Sequence, residues 1–310
     1  MPFPQNRYLA SPAGTKSFLL RQIITTGYVL AGYQNSSPWN NVNETTHSTD
    51  TTIDKGNVLN NSSGYPGGMC DDTFAYLLKA NNGVGGTGSA TNKYNMRTNS
   101  SVTGPSSPYN CGNPGTLMHK EQSYAYGKPF DGSAAIMKFN FATQSWMSSI
   151  GASYGSNGGS GGSAVYHEFV GYHYGDGNNT SAGVKFVFAT ETQSSSPVYG
   201  AHGQQKGISS KLTYLYTGNE GDYAGGNNLR RWNVSTETNV GTVSKPITNT
   251  GEENFDMGQS WQFMLGNYNG SQNNRSWRFN YSTDSGYELG STGQSKGVGG
   301  RSSAYSAYRS

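Results

Sequence analysis

Five histidines and three residue pairs that each hold an acid are the residues of this 310-residue chain singled out as able to do chemistry. His167 is followed by Glu168, Lys120 by Glu121, and Asp71 by Asp72. Gathered in one place, Asp72, Glu121, Glu168 and His167 would offer carboxylate oxygens and an imidazole to a metal ion or a cationic ligand. Kept apart, they are solvated turn residues at equivalent points of a repeat, and this is the expectation. His47, His119, His173 and His202 add nothing to the set, because no histidine pair has zinc-site spacing and none lies beside a cysteine pair. No catalytic residue, metal ligand or cofactor-binding residue is therefore assigned, and no cofactor is expected. Trp39, Trp261 and Trp277 would stack on sugars if exposed; burial between sheets is the expected alternative.

Other candidates fall on their context. "GVGGTGSA" at 83–90 has the glycines of a phosphate-binding loop but neither the Lys-Ser/Thr ending nor a following helical pattern, so it reads as a hairpin loop. The charge balance is +3, with basic residues spread along the chain rather than clustered, which argues against nucleic acid as the partner. No stretch approaches the ~18 apolar residues of a membrane span. No charged and then apolar leader opens the chain, so no secretion is expected and the "NSS", "NET" and "NGS" triplets read as consequences of composition. Cys70 and Cys111 could form one disulfide, but in a chain without a leader reduced thiols are expected.

The elements that would position any site are more legible than the site. Forty-four Gly with abundant Asn and Ser are poor helix material and good turn material. Leu, Ile, Val and Phe are scarce, yet only 13% of residues are charged and 22 Tyr, 12 Phe and 5 Trp offer large surfaces to bury. These features predict a folded all-β protein with an aromatic core.

One run recurs: "KYNMRT" (93–98), "KFNFAT" (138–143), "KFVFAT" (185–190), "RWNVST" (231–236) and "RFNYST" (278–283). Its aromatic positions, Tyr94, Phe139, Phe186, Trp232 and Phe279, stand 45, 47, 46 and 47 residues apart. A fixed period in this range, with only strand signals inside it, predicts a propeller of four-stranded blades. Upstream of each run lies a tyrosine-rich strand ending near Gly, such as "QSYAYGK" (122–128) or "LTYLYTG" (212–218), and before that a small-residue strand such as "GGSAVYHE" (161–168). The order within a blade is then a small-residue inner strand, a tyrosine strand, the recurring run as third strand, and a variable outer strand. The aromatics of the third strand are expected to fill the space between blades.

The order of small-residue strand, aromatic strand ending in Gly, turn, aromatic strand, Thr and Trp resembles the kelch repeat, with "YAYGKPFDGSAAIMKFNFATQSW" (124–146) the best copy and Trp146 at the tryptophan position. The resemblance implies an all-β, kelch-like β-propeller occupying residues 1–310 as one domain. Seven blades are expected: "GRSSAYSAYRS" (300–310) would supply an inner pair of strands, the amino terminus the outer ones, and both termini would close one blade. Six blades plus tails is the alternative, with residues 1–16 an anchoring arm or closing strand. The second apolar position of the run is read at Val42 in the first blade, 54 residues before Met96. "STDSGYEL" (282–289) also resembles the Asp box of sialidases, a structural turn rather than a catalytic group.

Composition points to function by likeness. Low charge, much Gly, Ser, Thr, Asn and Tyr and no catalytic constellation look like a virion structural protein of a tailed bacteriophage. The expected role is non-enzymatic: a rigid docking disc of a capsid or tail, present in many copies, bound to other virion proteins and assembled in the host cytoplasm. A glycan-binding propeller touching a host surface is the second reading, and a propeller hydrolase or oxidase the third.

Overall fold

The computed structural model describes residues 24–34, 37–46, 48–62, 67–71, 73–78, 89–108, 116–119, 124–127, 136–150, 163–167, 170–174, 183–198, 208–209, 213–218, 228–244, 255–257, 261–268, 272–291 and 303–308. Every element among them is a β-strand, so no described helix is long and apolar enough to cross a membrane. The strands form six four-stranded antiparallel sheets arranged as the blades of a β-propeller.

Sheet I holds β1 (Ile24–Gln34), β2 (Ser37–Thr46) and β3 (Thr51–Gly56), joined by the last strand of the chain. Sheet II is β4 (Gly67–Cys70), β5 (Phe74–Leu78), β6 (Thr91–Asn95) and β7 (Ser100–Thr103). Sheet III is β8 (Thr116–His119), β9 (Tyr124–Gly127), β10 (Ile136–Asn140) and β11 (Ser145–Ile150). Sheet IV runs from β12 (Ser163–His167) through β13 (Val170–Tyr174) and β14 (Gly183–Val187) to β15 (Thr192–Ser196). Sheet V follows with β16 (Ile208–Ser209), β17 (Tyr214–Gly218), β18 (Asn228–Asn233) and β19 (Thr238–Ser244), and sheet VI with β20 (Phe255–Met257), β21 (Trp261–Tyr268), β22 (Gln272–Asn280) and β23 (Ser285–Ser291).

Each recurring run is the third strand of its sheet and each tyrosine strand the second, as the repeat predicts. In register, the second strand's tyrosine lies opposite the run's basic residue: Tyr76 on Lys93, Tyr126 on Lys138, Tyr172 on Lys185, Tyr216 on Arg231. Strand side chains alternate between faces, so tyrosine and cation point toward the next sheet and the run's aromatic toward the preceding one.

The core therefore lies between sheets. Tyr94 packs with Tyr28, Leu30 and Val42 of sheet I, and Phe139 with Tyr76 and Met69 of sheet II. Phe186 packs with Tyr126 and Ile136 of sheet III, Trp232 with Tyr172 of sheet IV, and Phe279 with Tyr216 and Leu229 of sheet V. Four of these five aromatics are fully buried and Trp232 is 3% exposed. Ring centroids lie 5.0 Å apart in Tyr76–Phe139 and Tyr126–Phe186 and 5.2 Å in Tyr216–Phe279, tilted or edge-on as aromatic quadrupoles prefer.

The closure expected from both termini differs in detail from its prediction. Residues 303–308 form one strand, β24 (Ser303–Tyr308), not an inner pair, and it pairs with β1, Tyr305 opposite Tyr28. The chain's end thus supplies the inner strand of sheet I, and no seventh sheet appears among the described residues. The outer strands expected from "NRYLAS" (6–11) fall outside the described residues, as does the arm at 1–16.

Candidate functional site

The turn joining the third strand to the fourth is built the same way in sheets II, III, V and VI. The run's Asn accepts backbone N–H bonds two and three residues on: Asn95 from Arg97 and Thr98, Asn140 from Ala142 and Thr143, Asn233 from Ser235 and Thr236. This Asx turn explains why Asn, a poor strand residue, recurs there. The run's Thr pairs hydroxyls across the turn, Thr143 with Ser145 at 2.7 Å and Thr98 with Ser100 at 2.8 Å.

Between Thr and the fourth strand sits one residue with left-handed backbone: Asp50, Asn99, Gln144, Glu191, Glu237 or Asp284, all with φ between 51° and 54°. Such a φ costs a non-glycine residue roughly 1–2 kcal/mol. The conformation aims an acid or amide back at the preceding sheet, where it meets that sheet's cation and tyrosine. Glu191 accepts from Lys138 and from the Tyr126 hydroxyl at 2.9 Å. Glu237 accepts from Lys185, from Ser196 Oγ at 2.9 Å and from the Tyr172 hydroxyl at 3.4 Å. Asp284 accepts from Arg231 and from the Tyr216 hydroxyl at 2.6 Å. Gln144, one of the two neutral members, accepts from Lys93 Nζ at 2.5 Å. Arg278 Nη1 donates to both carboxylate oxygens of Asp50, at 2.9 and 3.0 Å, across 228 residues of chain, and joins sheet VI to sheet I.

Five of the six joints are thus spanned by a polar belt. At the sixth, between sheets I and II, Glu44 occupies the cation's place and Asn99 the acceptor's. Glu44 pairs instead with Lys55 of its own sheet at 3.1 Å, and Asn99 accepts from Tyr94 at 2.9 Å. Cations are also held from behind: Lys93 stands 3.8 Å over the Phe74 ring, Lys138 4.1 Å over Tyr124, and Arg231 4.8 Å over Tyr214.

This environment suppresses the tyrosines' acidity rather than raising it. Burial, then the bond and charge of Glu191, push the Tyr126 phenol well above its usual range; Tyr172 is raised by burial and Glu237, and Tyr76 by burial and Asp71. Tyr216 is pushed up to about 12 by burial, although Arg231 pulls it down. A phenol so shifted stays protonated and donates a hydrogen bond; it is no nucleophile or base at neutral pH.

The acid-bearing pairs belong, by sequence position, to a different connection of the repeat. Asp72 falls between β4 and β5, Glu121 between β8 and β9, and Glu168 between β12 and β13, all at the turn from first to second strand; these three residues lie outside the described ones. His167 ends β12 opposite Val170, its side chain likewise outside them. Asp71, which is described, accepts from the backbone N–H of Thr73 at 2.7 Å and of Phe74 at 2.6 Å, as a turn-capping residue does. Among the described residues no three His, Cys, Asp or Glu side chains gather to hold a metal. The side chains of Trp39, Trp261 and Trp277, and all of Cys111, are outside the described set.

Sequence reasoning missed the left-handed belt residue, though its signal is on the page: Thr, an acid or amide, then Ser or Thr, at 49–51, 98–100, 143–145, 190–192, 236–238 and 283–285. This triplet also corrects the register of the first sheet. The run's cation position there is Glu44 and its aromatic position Thr45, while Val42 faces sheet II with Tyr28 and is not the counterpart of Met96.

The fold and belt define the chain as a β-propeller whose blades are riveted by charge as well as by aromatic packing. No family model matches it, and no curated protein does.

Proposed function

We propose that the chain is a non-enzymatic structural component of a tailed-bacteriophage particle, a rigid disc that docks other virion proteins. The observation that carries this reading is the belt. The described turn carboxylates Asp50, Glu191, Glu237 and Asp284 are each engaged by a cation and at least one hydroxyl of a neighbouring sheet. Charge in this protein is spent on stiffness, and a stiff body with few surface charges suits repeated docking. The low-charge composition rich in Gly, Ser, Thr, Asn and Tyr supports the same reading. We take the repeat as a divergent kelch-like one: Trp146 packs on Phe139 at 5.0 Å and donates to the Pro105 carbonyl at 3.3 Å, a structural use of that position.

Mass spectrometry of purified virions from the source, with the chain's copy number measured against the major capsid protein, tests the reading. A stoichiometric copy number is expected. Absence from particles, with the chain free in the lysate, overturns it.

A further inference from the structure

The fourth strands form the rim of the propeller, and the outward side of each has no strand paired to it among the described residues. The large apolar side chains exposed among the described residues are Ile53, Val102, Met147, Val240 and Tyr287, at 40–55% exposure. All five occupy one position of the repeat, three residues after the left-handed belt residue, on five successive outer strands when sheet IV, with Ser194, is passed over. A set scattered by chance would not keep this phase.

The rim is not uniform. In sheets II to V the outer strands read "SSVT", "SWMSSI", "TQSSS" and "TNVGTVS", without a charged residue. In the two sheets that close the ring they carry charge: Asp54 and Lys55 in β3, Glu288 in β23. Edge strands in soluble proteins are ordinarily guarded by charge, by proline or by bulges. Sheets VI and I keep the charged guard; β11 and β19 have bulges in their pairing, while β7 and β15 pair regularly and have neither guard.

We propose that this charge-free arc, the outer strands of sheets II to V, is a surface through which copies of this chain contact one another edge to edge. The inference deepens the assembly reading above and rests on it. A second copy is the occupant that the charges favour. An uncharged Ser/Thr edge meeting its own kind desolvates no ion within these strands, and a net charge of +3 opposes association little. Val102, Met147 and Val240 then bury against the partner, and because they point in different directions around the rim, contacts through them extend beyond a dimer.

Sedimentation velocity of the purified full chain over a concentration series tests this, comparing wild type with V102E/M147E/V240E, with V102K/M147K/V240K and with I53K on the guarded arc. Wild type and I53K are expected to form species larger than a dimer as concentration rises. Both triple variants should associate at least tenfold more weakly with unchanged Tm, whichever sign is introduced. Wild type that stays monomeric throughout, or triple variants that associate as wild type does, overturns the inference. A chain that is monomeric yet present in virions removes it and leaves the assembly reading standing; if the triple variants are then lost from virions, a foreign protein occupies the arc. A chain that self-associates through these residues yet is missing from virions supports the inference and removes the assembly reading.

Discussion

At the joint between sheets II and III, Met137 and Phe139 of β10 are driven against Tyr76 and Met69, and the cation across the joint, Lys93, meets a neutral amide. At the joint that closes the ring the same strand positions hold Asn43 and Thr45, both buried, and the cation, Arg278, meets a carboxylate. The polar slot finds its hydrogen bonds within its own sheet, except that the buried Asn43 Oδ1 has no partner among the described residues. Thr45 shares a hydrogen bond with Thr52 at 2.9 Å, Asn43 donates to Asn41, and Asn41 donates to Asp54. Apolar contact is favourable in many arrangements, whereas hydrogen bonds and ion pairs gain only in one. Between sheets II and III apolar area dominates the contact, whereas the contacts described at the closing joint are polar and require one geometry.

The widest break in that contrast is a pair of truncations followed by urea unfolding. Phe139→Ala should cost about 3–5 kcal/mol, as buried aromatics do, and Thr45→Ala about 1 kcal/mol, one hydrogen bond. Equal costs would erase the distinction between the joints.

Alkaline unfolding comes next. Tyr216 titrates at about 12 when folded against an ordinary 10.0, so its contribution is intact below pH 10 and is lost as pH rises through 12. Tyr76, Tyr126 and Tyr172 shift the same way. Above pH 10 stability should fall by up to about 1.4 kcal/mol per pH unit for each such tyrosine. The closing joint has Phe263 opposite Arg278 in this position and adds nothing to the slope. Tyr216→Phe should lower the slope by one proton; an unchanged slope would place the titration elsewhere.

The cations sharpen the comparison further. Arg278→Gln strands Asp50 and should cost about 1.5–3 kcal/mol, less at high salt, while Lys93→Gln at the neutral joint should cost about 1 kcal/mol or less with little salt dependence. Thermal unfolding at two ionic strengths separates them.

The smallest effects concern the left-handed residue. Glu191→Gly relieves backbone strain but loses Lys138 and Tyr126, for a net cost of roughly 1 kcal/mol. Asn99→Gly, whose side chain accepts from Tyr94 of its own sheet, loses that bond and should be near neutral. A stabilised Glu191→Gly would show that the belt contributes nothing.

Much of this architecture was legible. Lys138, Phe139, Asn140 and Thr143 each have a fixed job set by strand alternation or by a turn two or three residues long, so the run repeats wherever the sheet does. The belt was harder to read, because Glu191 looks like any exposed turn residue until its partners, Lys138 and Tyr126, more than fifty residues away, are placed beside it. The acid-bearing pairs could be placed on strand connections but not beside one another, since nothing local fixes where those connections point.

The sequence by itself determined the interior of each sheet: period-two alternation and turn chemistry act between neighbours, and they decide which face is aromatic and where a strand must reverse. Only the tertiary structure decided how the ring closes. Glu44 and Thr45 carry none of the run's signature, and the pairing of β24 with β1 and of Arg278 with Asp50 joins residues separated by most of the chain. Such contacts depend on every intervening sheet taking its place, so no short stretch of residues can encode them.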